Sequence, residues 1–161
     1  NKVSYIEESA LEKAEEFLLN LGLTNMKAVW SNLSSNVYTF NFAYEDNGVI
    51  VYSDLIKVRV CTETGMVIGI EASTYYINHT ARNITSPTIS EESAKSYLID
   101  GLEVENGRLV LIPIGYSSEK LCYEFEGKQD NQTYYIYIDA TNGHQVEMFK
   151  VIESSDGKLL A

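Results

Sequence analysis

Hydrophobic positions along the first half of the chain predict one helix followed by four strands. Apolar residues recur at helical spacing over Glu7–Leu21, which is typical of an amphipathic helix. Apolar and polar residues then alternate over Val37–Glu45, Val49–Cys61 and Met66–Ile77, and a shorter strand is predicted before them at Met26–Trp30. Short connections between these segments favour antiparallel pairing.

The second half of the chain repeats this order of elements. A second helix is predicted to begin at Ser90 as its N-cap and to end at Asp100-Gly101, with Ala94, Tyr97 and Leu98 on one face. Four strands are predicted after it, at Arg108–Tyr116, Lys120–Gly127, Thr133–Asp139 and Gln145–Ile152.

Two short matches indicate that the halves arose by tandem duplication. Glu7-Glu8-Ser9-Ala10 recurs as Glu91-Glu92-Ser93-Ala94 with an offset of 84 residues, and Gly65 recurs as Gly143 with an offset of 78. The predicted fold class is therefore α+β, with two repeated modules that each pack one helix on a four-stranded antiparallel sheet. The predicted modules are residues 1–80 and 89–161, joined by a polar linker at 81–88.

Charge and composition exclude several classes of partner. The net charge is −11, and residues 1–80 carry 5 Lys/Arg and 10 Asp/Glu while residues 81–161 carry 7 and 13. Neither half has a basic cluster, so nucleic acid and anionic lipid are not expected partners. The chain has no apolar run long enough to span a membrane, and direct membrane contact is not expected of this fragment. Because it begins abruptly at Asn1, we expect a membrane anchor further upstream.

Candidate catalytic and metal-binding residues are few. The two histidines, His79 and His144, show no metal-ligand spacing, and the two cysteines are predicted to be free small hydrophobic residues. Glu124 and Glu126 share one face of a strand, which suits sugar hydrolysis, but such pairs are routine on the solvent side of a sheet. Asp139 is predicted to accept backbone N–H groups in its turn, not to bind Ca²⁺. No catalytic residue, cofactor or metal is therefore predicted.

Tyrosines near the end of the first module give the best candidate for a partner site. Tyr75 and Tyr76 are adjacent in a predicted strand, so they would point to opposite faces, and tyrosine is favoured at interfaces. His79 and Arg82 follow them in the polar linker region and are expected to be exposed. We predict a partner-binding surface made by Tyr75, Tyr76, His79 and Arg82, although a seam between the modules would use the tyrosines equally well.

Two motifs resemble the PepSY domain family. They are the helix start Ile89–Ala94 and the hairpin Tyr137–Gly143. Further segments resemble, in the same order, a group of spore germination proteins with two such modules at the C-terminal end: Asn41–Tyr44, Asp54–Val60, Gly69–Ala72, Asn78-His79 and Leu121–Phe125. The first module departs from the PepSY pattern at Cys61-Thr62, where the second has Asp139-Ala140.

The resemblance implies a role without catalysis. It implies a protein from an endospore-forming bacterium that binds and controls a cortex-lytic hydrolase of the SleB type. The expected location is extracytoplasmic, in the spore envelope, at the outer face of the inner spore membrane or the cortex. Two alternatives stay open: a PepSY-type inhibitor of a secreted protease, and a cell-wall-binding module.

Overall fold

The structure, a computed structural model, has the predicted α+β class and describes residues 4–154 and 157–160. The chain divides into two compact units, and along the sequence the main part of the first ends at His79 and that of the second begins at Thr80. The ends of the predicted modules at residues 1–3, 155–156 and 161 lie outside the described residues.

The first unit contains a sequential sheet with one long helix. Its elements are α1 (Glu7–Asn20), β1 (Met26–Ser34), β2 (Val37–Asp46), β3 (Val49–Cys61), β4 (Val67–Glu71) and α2 (Ser73–Asn78). The strands pair in the order β1-β2-β3-β4, and β1–β2 and β3–β4 are antiparallel. Asn47 and Gly48 both have positive φ and link β2 to β3 in two residues, a connection that joins antiparallel strands.

The core of this unit lies between α1 and one face of the sheet. Ala10, Ala14 and Leu18 fall on one side of the helix at four-residue spacing and are fully or almost fully buried. Phe40 and Phe42 from β2 pack in the same cluster, so both side chains lie on the face of the sheet that α1 covers.

The C-terminal end of α1 is closed by a Schellman motif. Gly22 has φ +77° and donates its N–H to Leu19 O, and Leu23 donates to Leu18 O. The helix therefore ends where the sequence places its first glycine.

The second unit also has a sequential antiparallel sheet. Its elements are α3 (Glu91–Lys95), β5 (Glu103–Val104), β6 (Arg108–Ile114), β7 (Ser118–Gln129), β8 (Gln132–Asp139), β9 (Gln145–Ser154) and β10 (Gly157–Leu160). The strands β6, β7, β8 and β9 pair in chain order, the short β5 pairs with β7, and β10 lies next to β9.

The structure has three elements that the predicted module of one helix and four strands lacks: α2, β5 and β10. The predicted strand Met66–Ile77 ends at Glu71, and α2 takes its second half. The strands β5 and β10 were not predicted.

The second predicted helix is also shorter than expected. Ser90 caps α3 as predicted, since its Oγ accepts from Ser93 N–H at 3.1 Å. After Lys95, the N–H groups of Tyr97 and Leu98 bond three residues back, which tightens the chain into a turn.

Both hairpins that end the sheets share the same detailed geometry. Gly65 N–H donates to Cys61 O, and Cys61 N–H donates to Met66 O. The equivalent bonds in the second unit run from Gly143 to Asp139 and from Asp139 to His144, each displaced by 78 residues.

A β-bulge also recurs at this offset, at Arg59/Val60 and at Tyr137/Ile138. The duplication inferred from the sequence thus extends to individual backbone bonds.

Candidate interaction surface

Exposed apolar side chains are concentrated on β4 and α2. We define the β4–α2 surface by Ile68, Ile70, Tyr76 and Ile77, whose side chains are 58%, 39%, 69% and 80% exposed. Single exposed apolar residues are ordinary on protein surfaces. Four within ten residues of chain are unusual, and they make the β4–α2 surface the candidate interaction surface of this chain.

A part-buried polar contact holds the end of α2 against β3. His79, which follows α2 directly, brings its Nδ1 within 2.7 Å of Oδ2 of the fully buried Asp54 in β3. The imidazole stacks on the Tyr75 ring at 4.5 Å and meets the Tyr44 ring edge-on at 4.6 Å. Asn78 Nδ2 adds a bond to Ser53 O at 3.1 Å. These contacts hold α2 against β2 and β3 and leave Tyr76 and Ile77 exposed.

The four predicted site residues therefore have different roles. Tyr75 and His79 come together, but as parts of this anchoring contact, and burial followed by the nearby Asp54 raises the pKa of Tyr75. Tyr76 is exposed, as a partner site requires. Because both tyrosines lie on a helix, the argument from opposite faces of a strand does not apply to them.

Arg82 belongs to the second unit and is not exposed as expected. Its side chain is only 10% accessible, and its guanidinium binds Glu119 through two N–H groups at 2.9 Å. The His79 side chain is 31% accessible. The expectation of two freely exposed polar side chains was thus wrong for Arg82, because its planar guanidinium matches a carboxylate from the same unit.

Sequence reasoning overlooked Asp54, Ile68, Ile70 and Ile77. The sequence did contain a sign that Asp54 has a specific partner. It is the one carboxylate in the apolar strand Val49–Cys61, and a buried carboxylate requires a polar partner. The isoleucines gave no such signal, because alternation alone does not tell which face of a strand is covered.

Glu124 and Glu126, the carboxylate pair considered for sugar hydrolysis, differ in burial. Glu124 is buried, contrary to its expected solvent position, and accepts bonds from Arg108 Nε and Tyr137 Oη, both at 2.7 Å. Glu126 is exposed. Glu124 therefore links neighbouring strands through an ion pair and a hydrogen bond.

Asp139 accepts the Thr141 N–H at 2.9 Å, which confirms its predicted role in the turn. Burial opposes ionisation of this carboxyl, but bonds from Thr141 and Lys120 outweigh it and lower the pKa of Asp139. Its carboxylate is thus engaged within its own unit.

The two cysteines differ in environment. Burial, followed by the charge of Asp139, raises the pKa of Cys122 to about 12. The partly exposed Cys61 has a lowered pKa because of hydrogen bonds with Thr64 and Glu63. Among the described residues, no group of three His, Cys, Asp or Glu side chains is placed to hold a metal ion. In the same residues, no helix combines the length and the apolar character needed to cross a membrane.

Two family models match the chain. Residues 2–85 match "YpeB sporulation, PepSY1 and PepSY2 domains", and residues 88–149 match "Peptidase propeptide and YPEB domain". The fold and these matches define the chain as a PepSY-domain protein. The first model covers just over half of the chain, and the chain therefore belongs to the YpeB family of sporulation proteins.

Individual relatives agree with this assignment. The chain is 36% identical to Sporulation protein YpeB of Oceanobacillus iheyensis over 98% of its own length and 34% of the relative. It is 37% identical to the protein of the same name from Halalkalibacterium halodurans, over 90% of this chain and 32% of that one. The chain spans about a third of the length of these curated relatives.

A solved structure shows the same fold. The Bacillus megaterium YpeB C-terminal domain is similar with a TM-score of 0.82 and 33% sequence identity. The similarity covers 93% of this chain and 67% of that one.

Proposed function

We propose that this chain is a non-catalytic interaction module in spore germination that binds a cortex-lytic hydrolase of the SleB type. One observation carries the proposal: a chain of the YpeB sporulation family presents the exposed β4–α2 surface, and the Asp54–His79 contact holds the end of α2 in place. Tyr76 is the predicted site residue that lies on this surface, and we retain it as a partner contact.

The chemistry of the buried charged groups supports a binding role. Asp54 contacts His79, Glu124 contacts Arg108, and Asp139 contacts Lys120. Catalysis needs titratable groups that converge on a shared space where substrate can react. These carboxylates instead serve as acceptors in contacts within a unit. We further propose that the chain lies outside the cytoplasm, at the outer face of the inner spore membrane or in the cortex. We also propose that its two modules are residues 1–80 and 89–161, joined by the linker at 81–88.

A direct binding measurement tests this function. The purified chain is mixed with the purified cortex-lytic hydrolase of the same organism, and complex formation is followed by calorimetry and size-exclusion chromatography. We expect a complex, weakened by Tyr76→Ala without loss of thermal stability, and no release of fragments from cortex peptidoglycan by the chain alone. Peptidoglycan hydrolysis by the chain alone would contradict the proposal.

The match to a "Peptidase propeptide and YPEB domain" favours one alternative, restraint of a secreted protease. Inhibition of a purified secreted protease by the chain, together with no complex with the lytic enzyme, would favour this alternative.

A further inference from the structure

The strand β4 is an open edge in the first unit. Among the described residues it pairs with β3 alone, so one side of its backbone has no neighbouring strand. Natural edge strands are usually protected by lysine, proline or a covering segment, because an open edge accepts other chains. The strand β4 carries no proline and no lysine, and its one charged residue is Glu71 at the C-terminal end, which lies 3.8 Å from Lys57 of β3. Ile68 and Ile70 are exposed.

The helix beside this edge is strongly acidic. Residues of α1 contact β4. The exposed residues of α1 include five glutamates and a single lysine: Glu7, Glu8, Glu12, Glu15, Glu16 and Lys13. An apolar strand edge next to such a helix favours a ligand that is extended, partly apolar and positively charged.

We propose that β4 binds an extended basic segment of the partner protein as an additional strand. This inference rests on the proposed function and assigns the contact within it. Main-chain hydrogen bonds along β4 provide affinity, alternate apolar side chains of the ligand contact Ile68 and Ile70, and its basic residues face α1. The −11 net charge of the chain attracts such a segment as it approaches.

A second copy of this chain fits the edge poorly. Two-fold pairing of β4 with itself would bring two acidic α1 helices near each other, and like charges repel. The strand is also only 5 residues long, whereas a stable protein interface buries about 800 Å² on each partner. A flexible basic segment avoids the repulsion and needs only a short edge.

Substitution of one edge residue tests the proposal. Ile68→Lys places a positive charge on β4, where it opposes a basic ligand. Leu33→Lys is the matched control, because Leu33 is 51% exposed on β1, which pairs only with β2 among the described residues. Affinity for the cortex-lytic hydrolase should fall about tenfold or more for Ile68→Lys and stay at the wild-type value for Leu33→Lys, with equal melting temperatures for all three proteins.

Hydrogen exchange distinguishes strand addition from an apolar contact alone. On binding the hydrolase, backbone amides of β4 should become protected while those of β1 keep their exchange rates. Added salt should weaken binding because it screens the attraction to α1.

The possible results distinguish failure of the β4 edge as the binding site from failure of the proposed function itself. If wild type binds and Ile68→Lys binds equally well, or if β4 amides gain no protection, the edge is not the site and the proposed function stands. If wild type does not bind the hydrolase, the proposed function fails and this inference fails with it. Sedimentation of free wild type as a dimer that Ile68→Lys dissociates would assign the edge to a second copy and overturn the proposal.

Discussion

Replacement of Gly65 by alanine should destabilise the protein for two separable reasons. The residue has φ +68°, a conformation that a residue with a Cβ adopts at a cost of about 1–2 kcal/mol. A Cβ at this position would also overlap the Tyr5 ring, well inside van der Waals contact. Relieving that overlap requires the Tyr5 ring to move, which adds about 1–3 kcal/mol. The expected total loss of unfolding free energy is therefore about 2–5 kcal/mol.

Gly22→Ala provides the matched control. Gly22 has φ +77°, and nothing lies within 4 Å of the position of its missing Cβ. This substitution should cost only the backbone term, about 1–2 kcal/mol. Both variants are measured by urea denaturation at equilibrium, with the slope of each transition compared to that of wild type.

A double-mutant cycle then isolates the ring contact. In a Tyr5→Ala background the overlap is absent, so Gly65→Ala should cost no more than Gly22→Ala. Equal losses for Gly65→Ala and Gly22→Ala in the wild-type background would refute the reasoning, because the Tyr5 ring would then yield at no cost.

Three further predictions concern single side chains. Phe42→Ala should lower the unfolding free energy by about 3–5 kcal/mol because Phe42 is fully buried, and an unchanged melting temperature would contradict the strand register. In the native protein a maleimide should label Cys61 well before Cys122, whose raised pKa keeps its thiol protonated; equal rates would show that burial does not protect it. The lowered pKa of Asp139 stabilises the fold above the unfolded value near 3.8, and this stabilisation is lost as pH falls through the folded pKa. Melting temperatures between neutral and acidic pH should show a weaker acid dependence for Asp139→Asn than for wild type.

Long uninterrupted patterns predicted their elements well. The helix α1 ends one residue before its predicted end, and β3 has the predicted bounds. Tyr75, Tyr76 and Ile77 favour strands by composition, yet they lie on α2 because Tyr75 packs against the core and His79 N–H bonds to Tyr75 O. Tertiary contacts decided the structure there, and local propensity could not show them.

The candidate site was predictable only in part, for a related reason. The exposed tyrosine followed from composition, but the Asp54–His79 contact joins residues 25 positions apart. Neither an alternating pattern nor a short motif encodes such a pair. The edge position of β4 likewise depends on which strands become neighbours, which the sequence of one strand does not specify.

The segment before each helix has a consequence for the order of folding during synthesis. Tyr5 N–H donates to Thr62 O, and Ile89 N–H donates to Ala140 O, so the segment just before each helix is bound to the final hairpin of its own unit. The start of the first unit must therefore wait until residue 62 has left the ribosome before it can be fixed. Since domains fold as units as the chain emerges, this closure can occur before the second unit has been translated. A pause in translation after residue 62 has left the ribosome, but before the second unit is complete, would allow the first unit to close without competition from the homologous strands of the second.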